Sequence, residues 1–324
     1  MAREVDVKQW REELVSACRF GEEARARALV RQPGPRKARA LLESMLEEDE
    51  GLVRQAAVFG LAELGGAASA KRLEQQLVRE EARGDRDGDS VAEAITQALG
   101  AIAETGARAS LVRRLERLAA GKPDLGDVNT IARALWHKRH PELLPVVRRS
   151  LETLALSELN SLRGLLVLLE KSPGALQSWA SDSSVPVELK TEVLTVLEED
   201  VPETLVPAVL AFISTAHALL GEAVNQETSY YGERLFILLL RHREQLLPLL
   251  PPESRAELRE AARRRVEAFS LHGGSLRAAV LLQYVGQAED ADLLLAHRPA
   301  EPTLAKVFDD AMAALRNHLE RGPR

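Results

Sequence analysis

The chain has 324 residues, 45% apolar and 28% charged, with a formal net charge of −6. That length allows one or two ordinary domains, or one longer array whose core grows lengthwise. The acidic balance argues against general nucleic-acid affinity, which rewards a basic surface, and a single cysteine, Cys18, rules out an intrachain disulfide.

Aromatic residues make up only 4%, while Ala, Leu, Glu and Arg dominate. These are strong helix formers, and the residues that suit strands are few, so the expected class is all-α. The opening MAREVDVKQW is charged and has no apolar run, unlike a signal peptide. Trp10, Leu14 and Cys18 share one helical face, which makes Cys18 a core thiol rather than a reactive one.

Residues 53–73, VRQAAVFGLAELGGAASAKRL, read as a helix pair. Val53, Ala57, Gly60 and Leu64 line one face. Gly65-Gly66 ends the first helix, because glycine enters the left-handed region without a Cβ clash. Ala70, Leu73 and Leu77 form the apolar row of the second helix.

GDRDGDS (84–90) presents Asp85, Asp87 and Asp89 at alternate positions, as a calcium loop does. Ser90 and Thr96 stand where such a loop needs Gly and a bidentate Glu, so a solvated loop is expected, with Asp89 or Ser90 as helix cap. Ser90 with Glu93, and Ser254 with Glu257, have capping-box spacing.

The pattern of 53–73 then recurs. In 91–115, Val91, Ile95, Leu99 and Ile102 repeat the first row at an offset of 38, Gly106 stands for the turn, and Leu111, Leu115 and Leu118 repeat the second row. Residues 131–151 form a looser copy, with Pro141 opening its second helix. Residues 281–295 align with 60–74 without a gap, placing Gly286 on Gly65, Ala291 on Ala70 and Leu294 on Leu73. Pro35, Pro173, Pro186, Pro202 and Pro302 also stand where helices can begin.

A helix pair repeating at a period of about 40 residues resembles the HEAT and armadillo class. VRQAAVFGLAELG at 53–65 is similar to HEAT repeats, in particular the short phycobilisome-lyase-type kind, although Glu50-Gly51 replaces the Asp that usually precedes the Val-Arg. The resemblance implies a right-handed α-solenoid of about seven or eight antiparallel helix pairs. It covers 40–120 best, then 125–155 and 273–297. Breaks are expected at 82–90, 221–229, 250–254 and 271–275, none of them a long linker. One domain, 1–324, is therefore expected, with a less regular section at 155–250 and a C-terminal section at 251–324. Long helices are expected at 226–248 and 254–270. The apolar stretches 205–221 and 234–250 fit buried helices better than bilayer spans, which makes a cytoplasmic protein of bacterial type the expectation.

Catalytic signals are weak. His137 and His140 are one helical turn apart but lack the further ligands a zinc site needs, so dipole complementation at a helix end is expected. LHGGS (271–275) has no nucleophile elbow to accompany it, and reads as a turn with Ser275 as cap. No cofactor, metal or enzymatic activity is expected.

The most informative surface feature is basic. Implied second helices carry Lys71, Arg72 and Arg79, then Arg113, Arg114 and Arg117, then Arg148 and Arg149. In the HEAT class these helices line the concave side, so the arginines are candidates for a ridge that steers an acidic partner. The alternative is a set of solvated faces in which Glu74, Glu80 and Glu116 neutralise them through one-turn pairs. Tyr230 and Tyr231 are adjacent and cannot both face one core, so one is an exposed anchor candidate. Trp10, Trp136 and Trp179 are expected in the core.

The leading functional expectation is a non-catalytic scaffold that binds another protein, with no membrane role. A nucleic-acid-binding reading, with DNA-glycosylase-like chemistry in view, is the alternative that the arginines permit. A chromophore-lyase-type chaperone is suggested only by the repeat subtype.

Overall fold

The computed structural model describes residues 6–121, 123–154, 160–268 and 274–321. All regular structure among them is helical. The chain divides into two compact units, Met1–Leu156 and Ser157–Arg324, each described by itself below.

The first unit contains α1 (Val7–Arg19), α2 (Glu23–Arg31), α3 (Pro35–Met45), α4 (Gly51–Leu64), α5 (Gly66–Arg83), α6 (Arg86–Ala101), α7 (Thr105–Ala120), α8 (Leu125–His137) and α9 (Leu143–Leu154). From α4 onward each helix packs on the next but one. α4, α6 and α8 form one row, and α5, α7 and α9 form another. Leu61, Leu73, Leu77, Val91, Ile95, Leu99, Leu111, Leu115, Ile131 and Leu135 fill the space between them with no exposed surface.

Local chemistry sets the helix ends. Gly65 and Gly66 have φ of +60° and +79°, a region a Cβ disfavours, and the two helices of the opening pair meet there as expected. The next copy turns differently. α6 ends at Ile102 in extended backbone, and Gly106 lies inside the first turn of α7. The Gly106 carbonyl there accepts a hydrogen bond from Ser110 Oγ.

The expected loop at 84–90 is mostly helix. Asp85, not Asp89 or Ser90, caps α6, its carboxylate accepting from Gly88 N at 2.7 Å. The next acid, Asp87, accepts from Gly51 N at 3.3 Å. The donor left open at the start of α4, where Glu50 makes no side-chain cap, is thus met by an acid from α6. Ser254 is likewise no cap: its helix begins at Pro252. Pro141 stands two residues before α9 rather than at its start.

The second unit contains α10 (Ser161–Glu170), α11 (Pro173–Ser181), α12 (Val187–Leu197), α13 (Val206–Glu222), α14 (Gln226–Arg241), α15 (Arg243–Leu246), α16 (Pro252–Glu267), α17 (Gly274–Val285), α18 (Asp290–Ala296) and α19 (Pro302–Arg321), with short 3₁₀ turns at Glu203–Leu205 and Leu247–Leu249. Two rows recur: α10, α12, α14, α17 and α19 in one, α11, α13, α16 and α18 in the other. The expected helix at 226–248 breaks at His242, and α15 with its 3₁₀ turn interrupts the alternation. α10 and α12 approach so closely at Gly164 that a Cβ would sit 2.5 Å from the Glu192 carbonyl oxygen.

Gly286 follows α17 as Gly65 follows α4, and its N–H reaches back to Leu282 O at 2.8 Å. Three further residues precede α18, so the correspondence holds for the helix end and not for the turn. Of the 271–275 segment, residues 271–273 lie outside the described residues. Ser275 is inside α17, not its cap.

Glu203–Glu222 is one helical stretch long and apolar enough to cross a membrane by length and composition. In the fold its Val209, Phe212, Ile213 and Ala216 are buried, and the helix packs against α11, α14 and α16. Trp10 and Trp136 are buried, whereas Trp179 is half-buried and meets Phe212 edge-on, with centroids 6.5 Å apart.

Candidate functional site

The basic side chains of α5 and α7 do not stand as a bare ridge. Arg113 Nε donates to Glu74 at 2.5 Å and Arg117 Nε to Glu81 at 2.7 Å. Both bonds join α7 to α5. Pairing 74 with 113 and 81 with 117 shows that the two helices run parallel. Arg72 and Arg79 both reach Glu47, just beyond α3, at 2.5 and 2.7 Å. Neutralisation therefore comes chiefly from the helix one row-step earlier, with Glu116 adding a weaker one-turn attraction to Arg113.

The acids expected to act locally do other work. Glu74 serves α7, and hydrogen bonding to Arg113 holds its carboxyl below the usual range. Glu80 is buried and pairs closely with Arg54, with its one-turn neighbour Arg83 further off at 3.8 Å. Glu116 is exposed.

Arg114 is a correction to the expected surface set. It is 1% exposed, because position 114 shares the inward row with Leu111 and Leu115. Its guanidinium donates to Ala92 O at 3.0 Å and to Asp127 at 2.7 Å, tying α7 to α6 and α8. Burial lowers its pKa, although Asp127 and Glu81 oppose that shift. Lys71, Arg148 and Arg149 are exposed.

Arg54 is buried in the same way. Its guanidinium donates to both Glu80 oxygens, at 2.9 and 3.2 Å, and to the carbonyls of Glu48 and Asp49 at 2.9 and 2.6 Å. The arginine of the Val-Arg string is thus a structural clamp.

The tyrosine pair divides as its adjacency requires. Tyr231 is fully buried and donates to Phe212 O at 3.0 Å, so it is core and not a contact residue. Tyr230 is 45% exposed. On one side Arg234 lies 5.0 Å from the ring centroid and donates to the hydroxyl at 2.9 Å. Two open cavities of about 400 and 490 Å³ share Tyr230 and Gln226.

The first cavity is a groove between α12 and α14, completed by Glu188, Thr191, Glu192 and Glu227. These helices also run parallel, since Arg234 pairs with Glu198 and Arg241 with Glu199 further along. Burial and the nearby Glu188 raise the pKa of Glu227. Burial raises that of Glu192, against the hydrogen bond from Ser161. The second cavity continues past Asn225 and Glu233 to Arg265.

Sequence reasoning did not single out the acids of this groove: Glu188 and Glu192 precede Glu227 by 39 and 35 residues and share no motif with it. Nor did it find the cluster at Asp290, a fully buried carboxylate bound by Arg259, Arg263 and Gln287 N. The signal available was an acid directly after the aligned Gly286 turn.

Cys18 is half-buried, and burial pushes its thiol up to about 11. His137 and His140 have no company of the kind a metal requires: among the described residues no three His, Cys, Asp or Glu side chains group to hold an ion.

No protein-family model and no curated protein matches the chain. Among solved structures it is similar to the crystal structure of an engineered protein, with 14% identity over 94% of this chain and 88% of that one, at a TM-score of 0.33. A likeness that distant carries no argument about fold or function.

Proposed function

We propose that this chain is a non-catalytic scaffold that binds another protein, built as a HEAT-like α-solenoid. The observation that carries the reading is the packing of each helix on the next but one, in two rows, within both units. Stacking of that kind buries one face of each helix and leaves a long outer face for shallow, distributed contacts. A cytoplasmic site of action belongs to the same proposal.

The paired arginines count against the nucleic-acid alternative. A phosphate backbone is bound by cations that displace its counterions, whereas Arg113, Arg117, Arg72 and Arg79 already face carboxylates. An acidic protein partner would have to meet other outward cations, such as the exposed Lys71 and Arg149.

A nuclease-treated pull-down from native cytosol tests the reading. Wild type is compared with Lys71→Glu/Arg149→Glu, which spares the buried Arg114. Discrete proteins recovered after nuclease are the expected result, and their loss from the variant would place binding on the basic row. Recovery that vanishes with nuclease would replace the scaffold reading with the nucleic-acid one.

A further inference from the structure

The net negative charge of this protein is concentrated. Residues 157–234 hold twelve Asp and Glu against four Lys and Arg, a formal −8, although the whole chain carries −6. The Tyr230 groove lies within this segment, between the N-terminal halves of α12 and α14. Glu188 and Glu227 stand on its rim, both exposed. Neither is in an ion pair with a cation among the described residues, and Glu188 adds to the cost of ionising Glu227. Several acids elsewhere on the rows differ: Glu47, Glu74, Glu81, Glu198 and Glu199 each meet an arginine of a neighbouring helix.

The floor of the groove joins Thr191 to half-buried Glu192, whose carboxylate accepts from Ser161 Oγ at 2.9 Å. Thr191 is 2% exposed and its hydroxyl is spent on Val187 O at 2.9 Å, so it offers a methyl. The Tyr230 ring forms the wall. Arg234 sits over that ring and fixes its hydroxyl, which holds an exposed aromatic in one orientation. A fixed aromatic wall, with carboxylates on the rim and at Glu192 below, matches the long apolar stem and charged head of an arginine or lysine.

We propose that the Tyr230 groove docks a basic segment of a protein partner, with one Arg or Lys stem against Tyr230 and its head between Glu188 and Glu227. The inference rests on the scaffold reading and adds the partner's chemistry at this surface. Charge complementarity commits it to a cationic occupant. The surrounding −8 segment steers that occupant in, and the groove fixes its register.

The test uses the full-length protein and a fluorescein-labelled octa-arginine peptide, read by anisotropy in about 0.1 M salt, where charges beyond about 10 Å are screened. Wild type is compared with Glu188→Gln/Glu227→Gln, with Tyr230→Ala, and with the charge-matched Glu203→Gln/Glu222→Gln, whose positions do not line the groove. The groove variants are expected to weaken binding by about tenfold or more, and the matched control by less than about twofold. Equal loss in groove and control variants would reduce the surface to diffuse attraction and overturn the proposal, as would failure of the peptide to bind wild type. Circular dichroism of each variant separates loss of binding from loss of fold. In the cytosolic pull-down, a partner retained by Glu188→Gln/Glu227→Gln overturns the groove and leaves the scaffold standing, whereas no recovered protein at all defeats the scaffold itself.

Discussion

Arg54 and Glu80 form an ion pair at 2.9 Å with both side chains 1% exposed. α4 and α5 are joined by that contact as well as by Gly65-Gly66. Removing Arg54 leaves Glu80 buried with only Gln76 and the more distant Arg83, and Arg54 also satisfies two backbone carbonyls. Arg54→Met is expected to cost about 3–5 kcal/mol, measured by urea unfolding. Replacing both residues with apolar side chains should recover much of the loss. A single variant as stable as wild type would show that the pair contributes nothing.

Neighbouring arginines of α7 are expected to behave oppositely. Arg113 is half exposed and pairs with Glu74 at the surface, where such a pair contributes about 1 kcal/mol or less. Arg114, one residue on, is buried among α6, α7 and α8. Arg113→Ala should leave the unfolding midpoint nearly unchanged, and Arg114→Ala should lower it by several-fold more. Similar losses at both positions would contradict the burial of Arg114.

Asp290 links stability to acid pH. Burial pushes its pKa up, but hydrogen bonds from Arg259, the Gln287 N–H and Arg263 outweigh that and hold it below the ordinary value. A carboxyl depressed in the folded state contributes stability that is complete above its unfolded pKa, near 3.9, and is lost as pH falls through the folded one. Wild type should therefore lose stability below about pH 4 more steeply than Asp290→Asn. Parallel pH profiles of the two would remove Asp290 from the account.

The lone thiol offers a kinetic check. With its pKa pushed up to about 11, Cys18 holds little thiolate near neutrality. Alkylation by iodoacetamide at pH 8 should run about a hundredfold slower in native protein than after denaturation. Equal rates would mean that the α1 face is open.

Much of the helix pairing is legible from one-dimensional spacing. Gly65-Gly66 announces a turn, and Leu73, Leu77, Leu111 and Leu115 announce inward rows, because a 3.6-residue period places neighbours at three and four. The adjacency of Tyr230 and Tyr231 likewise forces one of them outward. The partners of the arginines are not legible in this way. Arg113 and Arg117 meet acids 39 and 36 residues away, across the spacing of one row-step, where no local rule reaches. The cap of α6 is not legible for a related reason. Asp85, Asp87 and Asp89 offer the same group three times, and only packing against α4 decides that Asp87 is engaged elsewhere.

Uneven charge also bears on how the molecule behaves in concentrated solution. Residues 1–156 hold 26 Lys and Arg against 25 Asp and Glu, while residues 157–324 hold 17 against 24. The mutual repulsion that keeps copies apart near neutral pH is therefore supplied by the second half alone, and colloidal stability falls as net charge approaches zero. The first half, expressed by itself, would carry almost no such protection and would be the more prone to precipitate.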